Sequence, residues 1–312
     1  MHAFKFDILS SSGRTYYPNA RQPTIKAKDS VIVQVKAAAI NPVDYKIPKY
    51  VLHGRVVGND FAGVVTQVSA DVKSVAVDDR VFGVASGSLA EMIECSASTL
   101  AKLPSSFTFQ QGAALPIAYV TAYQALSQYG FQRGMKVLVI GASGGCGSAG
   151  VQLAKAMGAS QVVGVCSKKN EEFVKSLGAD RIIDYETQAI DDGHAKYFDF
   201  VLDTATGSGH GENYLDAAKS VLKDPSKYHV TLNMPSGLWV RKFLGFPRKD
   251  INFFFSSPNT AALIDVVKNL ESSASYPPID SVFPFTKDGV DQAFAKLDSR
   301  RVKGKVVIDI AN

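Results

Sequence analysis

The stretch Lys136-Val137-Leu138-Val139-Ile140-Gly141-Ala142-Ser143-Gly144-Gly145-Cys146-Gly147 decides the architecture of this chain. Its first five residues are an apolar, β-branched run that reads as a buried strand. Its last seven are small and glycine-rich. From Ser148 to Met157 the pattern turns helical, with Ala149, Leu153 and Met157 four apart on one face and Gly158 as the stop. Strand, glycine turn and helix are the context that gives a dinucleotide-binding fingerprint its meaning. The strict Gly-x-Gly-x-x-Gly spacing is not kept; Ala142, Gly144 and Gly147 stand at the matching positions. A turn without side chains lets its backbone approach a pyrophosphate, and the helix N-terminus adds N–H donors and a partial positive charge. Ser143, Gly145 and Cys146 complete the candidate cradle. Cys146, at a helix start, is either a reactive thiol or a small buried filler.

Outward from this turn the chain has two styles. Residues 1 to about 117 are mostly short strands. Val31–Val35, Phe61–Val68, Arg80–Val84 and Leu89–Cys95 follow one another with Gly, Asp and Ser between them, the spacing of a small barrel or sandwich. Leu103-Pro104 and Leu115-Pro116 punctuate the chain before a helix expected over Tyr119–Tyr129. Strand and helix then alternate. Strands are expected at Gln161–Cys166, Arg181–Asp184, Phe198–Asp203, Tyr228–Asn233 and Ile251–Phe255, with helices at Glu171–Leu177, capped by Asn170, and Glu212–Leu222. Six strands with crossovers make a doubly wound parallel sheet, order 3-2-1-4-5-6. The tail returns to the first style, with a helix from Pro258, a helix over 288–297, and strands at Ile279–Phe285 and Lys305–Ile310.

The 312 residues favour two domains, here 1–117 with 257–312, and 118–256. A hydrophobic share of 46% and a charged share of 20% are those of an ordinary globular protein. The formal charge of +5 comes without a dense Lys/Arg run, so nucleic acid is not an expected partner. Three cysteines, Cys95, Cys146 and Cys166, form no CxxC and argue for a reducing compartment, with the cytoplasm as the default. No apolar run approaches the ~20 residues of a membrane span.

The chain resembles the zinc-independent medium-chain dehydrogenases/reductases, in the branch of the quinone oxidoreductases and alkenal (oxoalkene) reductases. The likeness covers nearly the whole chain. Besides the glycine turn it rests on Asn41-Pro42-Val43-Asp44-Tyr45-Lys46, Asp60-Phe61-Ala62-Gly63-Val64-Val65, Gly87-Ser88-Leu89-Ala90-Glu91, Ala113-Ala114-Leu115-Pro116, Lys175-Ser176-Leu177-Gly178-Ala179-Asp180 and Gly304-Lys305-Val306-Val307. It implies an α/β protein: a GroES-like β-barrel catalytic domain built from both chain ends, and a Rossmann doubly wound parallel sheet between them. It implies NADPH-dependent reduction of quinones, or of carbon–carbon double bonds conjugated to a carbonyl, with homodimers among the relatives. Departures from the pattern include Asn59, where a small residue is usual, and Cys146, where Val is usual. The alternative is a non-catalytic NADPH-binding protein, crystallin-like, with an RNA-binding side role.

Metal is not expected: the segments where zinc-bearing relatives hold their catalytic ion read Asn41-Pro42-Val43-Asp44 and Gly58-Asn59-Asp60, without Cys or His. The end of the second sheet strand reads Cys166-Ser167-Lys168-Lys169 rather than ending in a carboxylate. A hydroxyl and an ammonium suit a 2′-phosphate, so Ser167 and Lys168 point to NADPH rather than NADH. Tyr185 matches a family tyrosine at the adenine-ribose phosphate. Near the nicotinamide the resemblance implies Asn41, Lys46 and Thr121, with 232–234 and 254–256, Phe255 among them, as walls. For Lys46 it implies a donor to the substrate oxygen, the catalytic role. Each has a plainer reading: a turn cap for Asn41, a helix cap for Thr121, a solvated loop lysine for Lys46. Tyr45 and Trp239 are candidates for the substrate pocket or for packing. His53 reads as a surface histidine.

Overall fold

The computed structural model describes residues 1–46, 49–207, 213–226, 228–232, 252–254 and 256–310. The first strands are β1 (Ala3–Phe6), β2 (Arg14–Tyr17) and β3 (Ser30–Ile40), followed by two short helices, α1 (Val43–Lys46) and α2 (Lys49–Leu52). Next come β4 (Asp60–Val68), β5 (Arg80–Val84), β6 (Met92–Ser96), β7 (Leu100–Lys102), α3 (Phe109–Ala114) and α4 (Pro116–Gln128). The alternating part holds β8 (Lys136–Ile140), α5 (Gly145–Ala156), β9 (Gln161–Cys166), α6 (Glu171–Ser176), β10 (Arg181–Asp184), β11 (Phe200–Asp203), α7 (Leu215–Val221), β12 (His229–Thr231) and β13 (Asn252–Phe253). The chain ends with α8 (Thr260–Ser272), β14 (Ile279–Pro284), α9 (Lys287–Asp298) and β15 (Lys305–Asp309). Packing divides it into two units: Met1–Ile117 with Pro258–Asp265 and Tyr276–Asn312, and Ala118–Ser257 with Val266–Ser275.

In the second unit the six strands lie in the order β10-β9-β8-β11-β12-β13, all parallel. Counted from β8 this is 3-2-1-4-5-6, the expected order. The β-branched run that reads as a buried strand becomes β8, central in the sheet, and Leu138 and Ile140 join Val163, Val165, Ile183 and Val201 in the unit's core.

In the first unit β1 and β2 form an antiparallel hairpin. The other strands form a sheet in the order β14-β15-β3-β4-β5-β7, with β6 also on β3. β3 is longer than the β-branched run Val31–Val35 because both its halves find partners. Residues 30–34 pair with β6 and 37–40 with β15, while β4 runs along the opposite edge. Ala37, Ala38 and Ala39, weak strand formers, are wholly buried there; burial between two neighbours overrides propensity.

Several boundaries move from their expected places. The strand expected over Leu89–Cys95 begins at Met92, because Leu89 accepts the Phe4 N–H and Ala90 bridges Ala3. α3 was not anticipated, although its signal is in the sequence: Thr108 and Gln111 form a reciprocal capping box. α4 begins at Pro116, a residue suited to a first helical position. Asn170 does not cap α6; a 3-10 turn over Lys168–Asn170 precedes the helix and the Asn170 amide turns elsewhere. The strand expected from Phe198 starts at Phe200, and that from Tyr228 at His229.

α5 starts at Gly145, three residues before the expected Ser148, so the glycines form its first turn. A Cβ on Gly147 would lie 2.0 Å from the Gly141 carbonyl oxygen, whereas one on Gly144 would meet nothing nearer than 3.6 Å. Gly147→Ala should therefore destabilise the fold by about 1–3 kcal/mol, the usual cost of overpacking. Gly144→Ala should leave the thermal midpoint nearly unchanged. Calorimetry of the two variants checks this, and equal midpoints would count against the close approach.

Candidate functional site

The glycine turn is built by β8 and β9 together. The N–H groups of Gly141 and Ala142 both donate to the Val165 carbonyl, at 3.1 and 3.0 Å. Gly141 has φ +78°, a left-handed conformation that glycine adopts without strain. Ala142 is buried, and a Cβ on Gly164 of β9 would lie 2.9 Å from its methyl. Alanine is accommodated at this position because the strand beneath it has no side chain. Gly144 is the N-cap residue of α5 and supplies no side-chain cap. No side chain of the N-cap residue stands over the first turn of α5, and a helix start of this kind fits a pyrophosphate. Ser143 accepts a hydrogen bond from Nδ2 of Asn170 at 3.1 Å, tying the turn to the end of β9. Cys146 is half-buried in the first turn of the helix.

At the end of β9, Ser167 is buried and Lys168 is exposed. Asp184, at the end of β10, accepts from the Lys168 backbone N–H at 3.2 Å and holds the loop by its main chain. The Lys168 ammonium lies 2.5 Å from Glu171, which also takes Lys175 at 2.7 Å. The hydrogen bond from Lys168, with that from Lys175, holds the Glu171 carboxyl down at about 2, and Glu171 in turn raises the Lys168 ammonium. Tyr185 follows β10 with about half its surface exposed. A hydroxyl and an ammonium follow β9 and an exposed phenol follows the adjacent β10, a set that fits the 2′-phosphate of NADPH, with Asp184 and Glu171 bound to the Lys168 main chain and ammonium. Thr121, in α4, donates to Ser256 Oγ at 2.8 Å, and Gln124 exchanges hydrogen bonds with the Ser257 backbone. Phe255 and Trp239 lie outside the described residues.

In the first unit Asn41 is buried, and so is what surrounds it. Its Nδ2 donates to Asp60 at 2.9 Å, its Oδ1 accepts from the Lys305 ammonium, and its backbone N–H donates to Asp44 at 2.7 Å. The Lys305 ammonium also reaches the Ile40 carbonyl at 3.3 Å and Asp60 at 3.2 Å. Three acceptors thus meet three donors. Asp60 also accepts the Ile117 N–H, in the first turn of α4, at 3.0 Å. Burial pushes the Asp60 carboxyl up, and Lys305, Asn41 and Ile117 oppose it. Asn59 donates to Asp44 from the other side. Lys46, at the end of α1, is exposed. Tyr45 packs on the core of this unit; burial pushes its hydroxyl up, Asp298 adds to that and Arg300 opposes it. His53 is exposed, as expected.

The sequence reading named Asn41 but not Asp44, Asn59, Asp60 and Lys305 as a group. One signal was there: a lysine heading an apolar strand, Lys305-Val306-Val307, is rarely buried without a partner. It also missed Asp203 and His229, both buried in the second unit, with Oδ2 and Nε2 3.7 Å apart.

Comparison with known proteins gives the same architecture. The Solanum lycopersicum 2-methylene-furan-3-one reductase is 36% identical over 307 residues, covering 93% of this chain and 74% of that protein. The chain belongs to the medium-chain dehydrogenase/reductase family. Residues 27–105 of this medium-chain dehydrogenase/reductase match the family described as alcohol dehydrogenase GroES-like domain, and 177–308 that of zinc-binding dehydrogenase. The Arabidopsis thaliana chloroplastic NADPH-dependent alkenal/one oxidoreductase is 33% identical, over 92% of this chain and 73% of its own. The solved quinone oxidoreductase of Coxiella burnetii superposes with a TM-score of 0.84 at 26% identity, over 99% of each chain. The fold is thus the expected GroES-like unit with a Rossmann sheet. One description names zinc; among the described residues no three His, Cys, Asp or Glu side chains are grouped to hold a metal ion.

The cluster around Asp60 carries a stability prediction. Lys305→Met would leave a buried carboxylate without its counter-charge, a loss of about 3–5 kcal/mol. Adding Asp60→Asn should recover much of it. Urea unfolding of the two variants measures the difference, and equal stabilities would remove the ion pair from the account.

Proposed function

We propose that this medium-chain dehydrogenase/reductase is an NADPH-dependent oxidoreductase that reduces quinones or the C=C bond of α,β-unsaturated carbonyls. The observation that carries the reading is the end of β9, where Ser167 and the Lys168 ammonium stand in place of a ribose-binding carboxylate, beside an α5 N-terminus that no side chain caps. The names of the similar reductases support the substrate class. Bound NADPH supplies a hydride. We assign the turn Ala142–Gly147 to the pyrophosphate, Ser167, Lys168 and Tyr185 to the 2′-phosphate, and Thr121 and Phe255 to the nicotinamide end; Asn41, whose amide is engaged by Asp60 and Lys305, is assigned to holding its own turn. Of the two candidates for the substrate pocket, Tyr45 packs on the core of the first unit, and Trp239 is assigned to the pocket from the resemblance alone.

As hydride reaches the β-carbon of an enone, negative charge develops on the carbonyl oxygen. A donor placed for that charge lowers the barrier more than one that binds the ground state. We assign this donor to the Lys46 ammonium, with the α-carbon taking its proton from solvent. The compartment we assign is the cytoplasm. The three cysteines, Cys95, Cys146 and Cys166, are free thiols, which is the state a reducing compartment maintains. No helix among the described residues is long and apolar enough to cross a membrane. β13, at an edge of the six-stranded sheet, is the element we assign to pairing two copies.

Steady oxidation of NADPH with a panel of enones and quinones tests the reading; binding of NADPH without turnover on any of them would leave only a cofactor-binding protein. Lys168→Ala should weaken NADPH by about tenfold or more, through loss of a charged hydrogen bond, and leave NADH nearly alone. Titration with both cofactors checks it, and equal losses would sink the assignment. Lys46→Ala should lower kcat by about 10²-fold with little change in NADPH affinity. An unchanged kcat for Lys46→Met on a good substrate would return Lys46 to the surface.

A further inference from the structure

The turn that carries Asn41 and Lys46 is held from inside by a buried carboxyl group, that of Asp44. Asp44 is 2% exposed. One of its oxygens accepts the Asn41 backbone N–H and the other accepts Nδ2 of Asn59. Two N–H donors on two oxygens is the arrangement of the ionised form. The charged groups that face it are Asp60 on β4, which repels it, and Lys305 on β15, which attracts it. Lys46 lies two residues along the same helix. With Asp44 ionised, the buried trio Asp44, Asp60 and Lys305 carries a net negative charge; with a proton on Asp44 it is neutral.

Burial pushes the Asp44 carboxyl up to about 7; Asp60 adds to this, while the bonds from Asn41 and Asn59 and the charge of Lys305 oppose it. A proton arriving from solvent turns one oxygen of Asp44 into an O–H that needs an acceptor. Asn59 has one available, because half a turn of its amide exchanges Nδ2 for Oδ1 at nearly constant shape. The pair is therefore satisfied in both states, and only its charge and the strength of its hydrogen bonds change. Ionised, it holds the turn with charge-assisted bonds; protonated, with neutral ones.

We propose that Asp44 is the positioning residue of the Asn41–Lys46 turn and that the Asp44–Asn59 pair, by taking or releasing one proton as the Asn59 amide turns over, sets how firmly the turn is held and so the rate of hydride transfer. The proposal rests on the role given to Lys46 above. Asp44→Asn reproduces the protonated arrangement, its Nδ2 donating to Asn59 and its Oδ1 accepting from Asn41.

The experiment measures kcat against pH, with NADPH dissociation constants alongside. In the parent, kcat should rise about fivefold between pH 6 and 8, the difference between a neutral and a charged hydrogen bond. Asp44→Asn should lose this limb and stay at the low level, with NADPH affinity changing less than kcat. Asn59→Ala, which removes one donor to the charged form, should move the limb to higher pH; it decides the matter if Asp44→Asn does not fold. A second readout needs no turnover. A carboxyl raised in the folded state adds stability that is complete below its ordinary range near pH 4 and is lost as pH rises through about 7. The urea midpoint of the parent should therefore fall relative to that of Asp44→Asn between pH 5 and 8. A limb that persists in Asp44→Asn, or keeps its place in Asn59→Ala, overturns the proposal. So does a urea difference that does not change with pH. A parent that binds NADPH without turnover sinks the functional reading instead, and the urea comparison then still decides the proton at Asp44.

Discussion

The Lys305 ammonium lies in the interior of the first unit, 4% exposed, and is tolerable there because it meets Ile40, Asn41 and Asp60. A buried cation of this kind has few alternative positions, so it fixes what surrounds it. β15 arrives from the end of the chain and pairs Val306 with Ile40. Slipped by one residue, the strand would direct the ammonium away from its acceptors and turn its apolar set over. The ion pair adds little net stability against an apolar substitute, since desolvation offsets most of the attraction. Its effect is on register, and through Asn41 on the turn that follows β3.

A different constraint governs the second unit: space at the glycine turn. Gly147 sits so close to Gly141 that a single added carbon would overlap the backbone, and Ala142 fits because Gly164 lies beneath it. These approaches bring the first turn of α5 down onto the end of β8. Glycine is a poor helix former, yet Gly145 and Gly147 are helical here. Packing over the sheet outweighs the propensity cost, and the helix start that results carries the partial positive charge that an anionic ligand needs.

The loop after β9 shows how a charge is kept ready on a surface. Lys168 is held by its backbone to Asp184 and by its ammonium to Glu171, which Lys175 shares. An exposed ion pair is weak and exchanges readily, so a phosphate can join or replace Glu171 without a large cost. The Asn170–Ser143 hydrogen bond ties this loop to the glycine turn, joining the two places where cofactor phosphates are expected within one unit.

Periodicity made the parallel sheet, its order and the second style of the chain ends legible, because strand and helix patterns are local and the crossover rule leaves few topologies. The strand, glycine turn and helix at 136–156 were legible for the same reason: the pattern lies within a few consecutive residues. The limits of β3 and of the strand at Met92 were not, since they depend on which neighbours pair with each half. The union of Asn41, Asp44, Asn59, Asp60 and Lys305 was decided only by the tertiary structure. Its members span most of the chain, and each alone reads as a turn residue, a solvated carboxylate or a surface lysine. Burial changes their chemistry, raising carboxyl groups and demanding a partner for every proton, and burial is a property of the fold rather than of any short stretch of sequence.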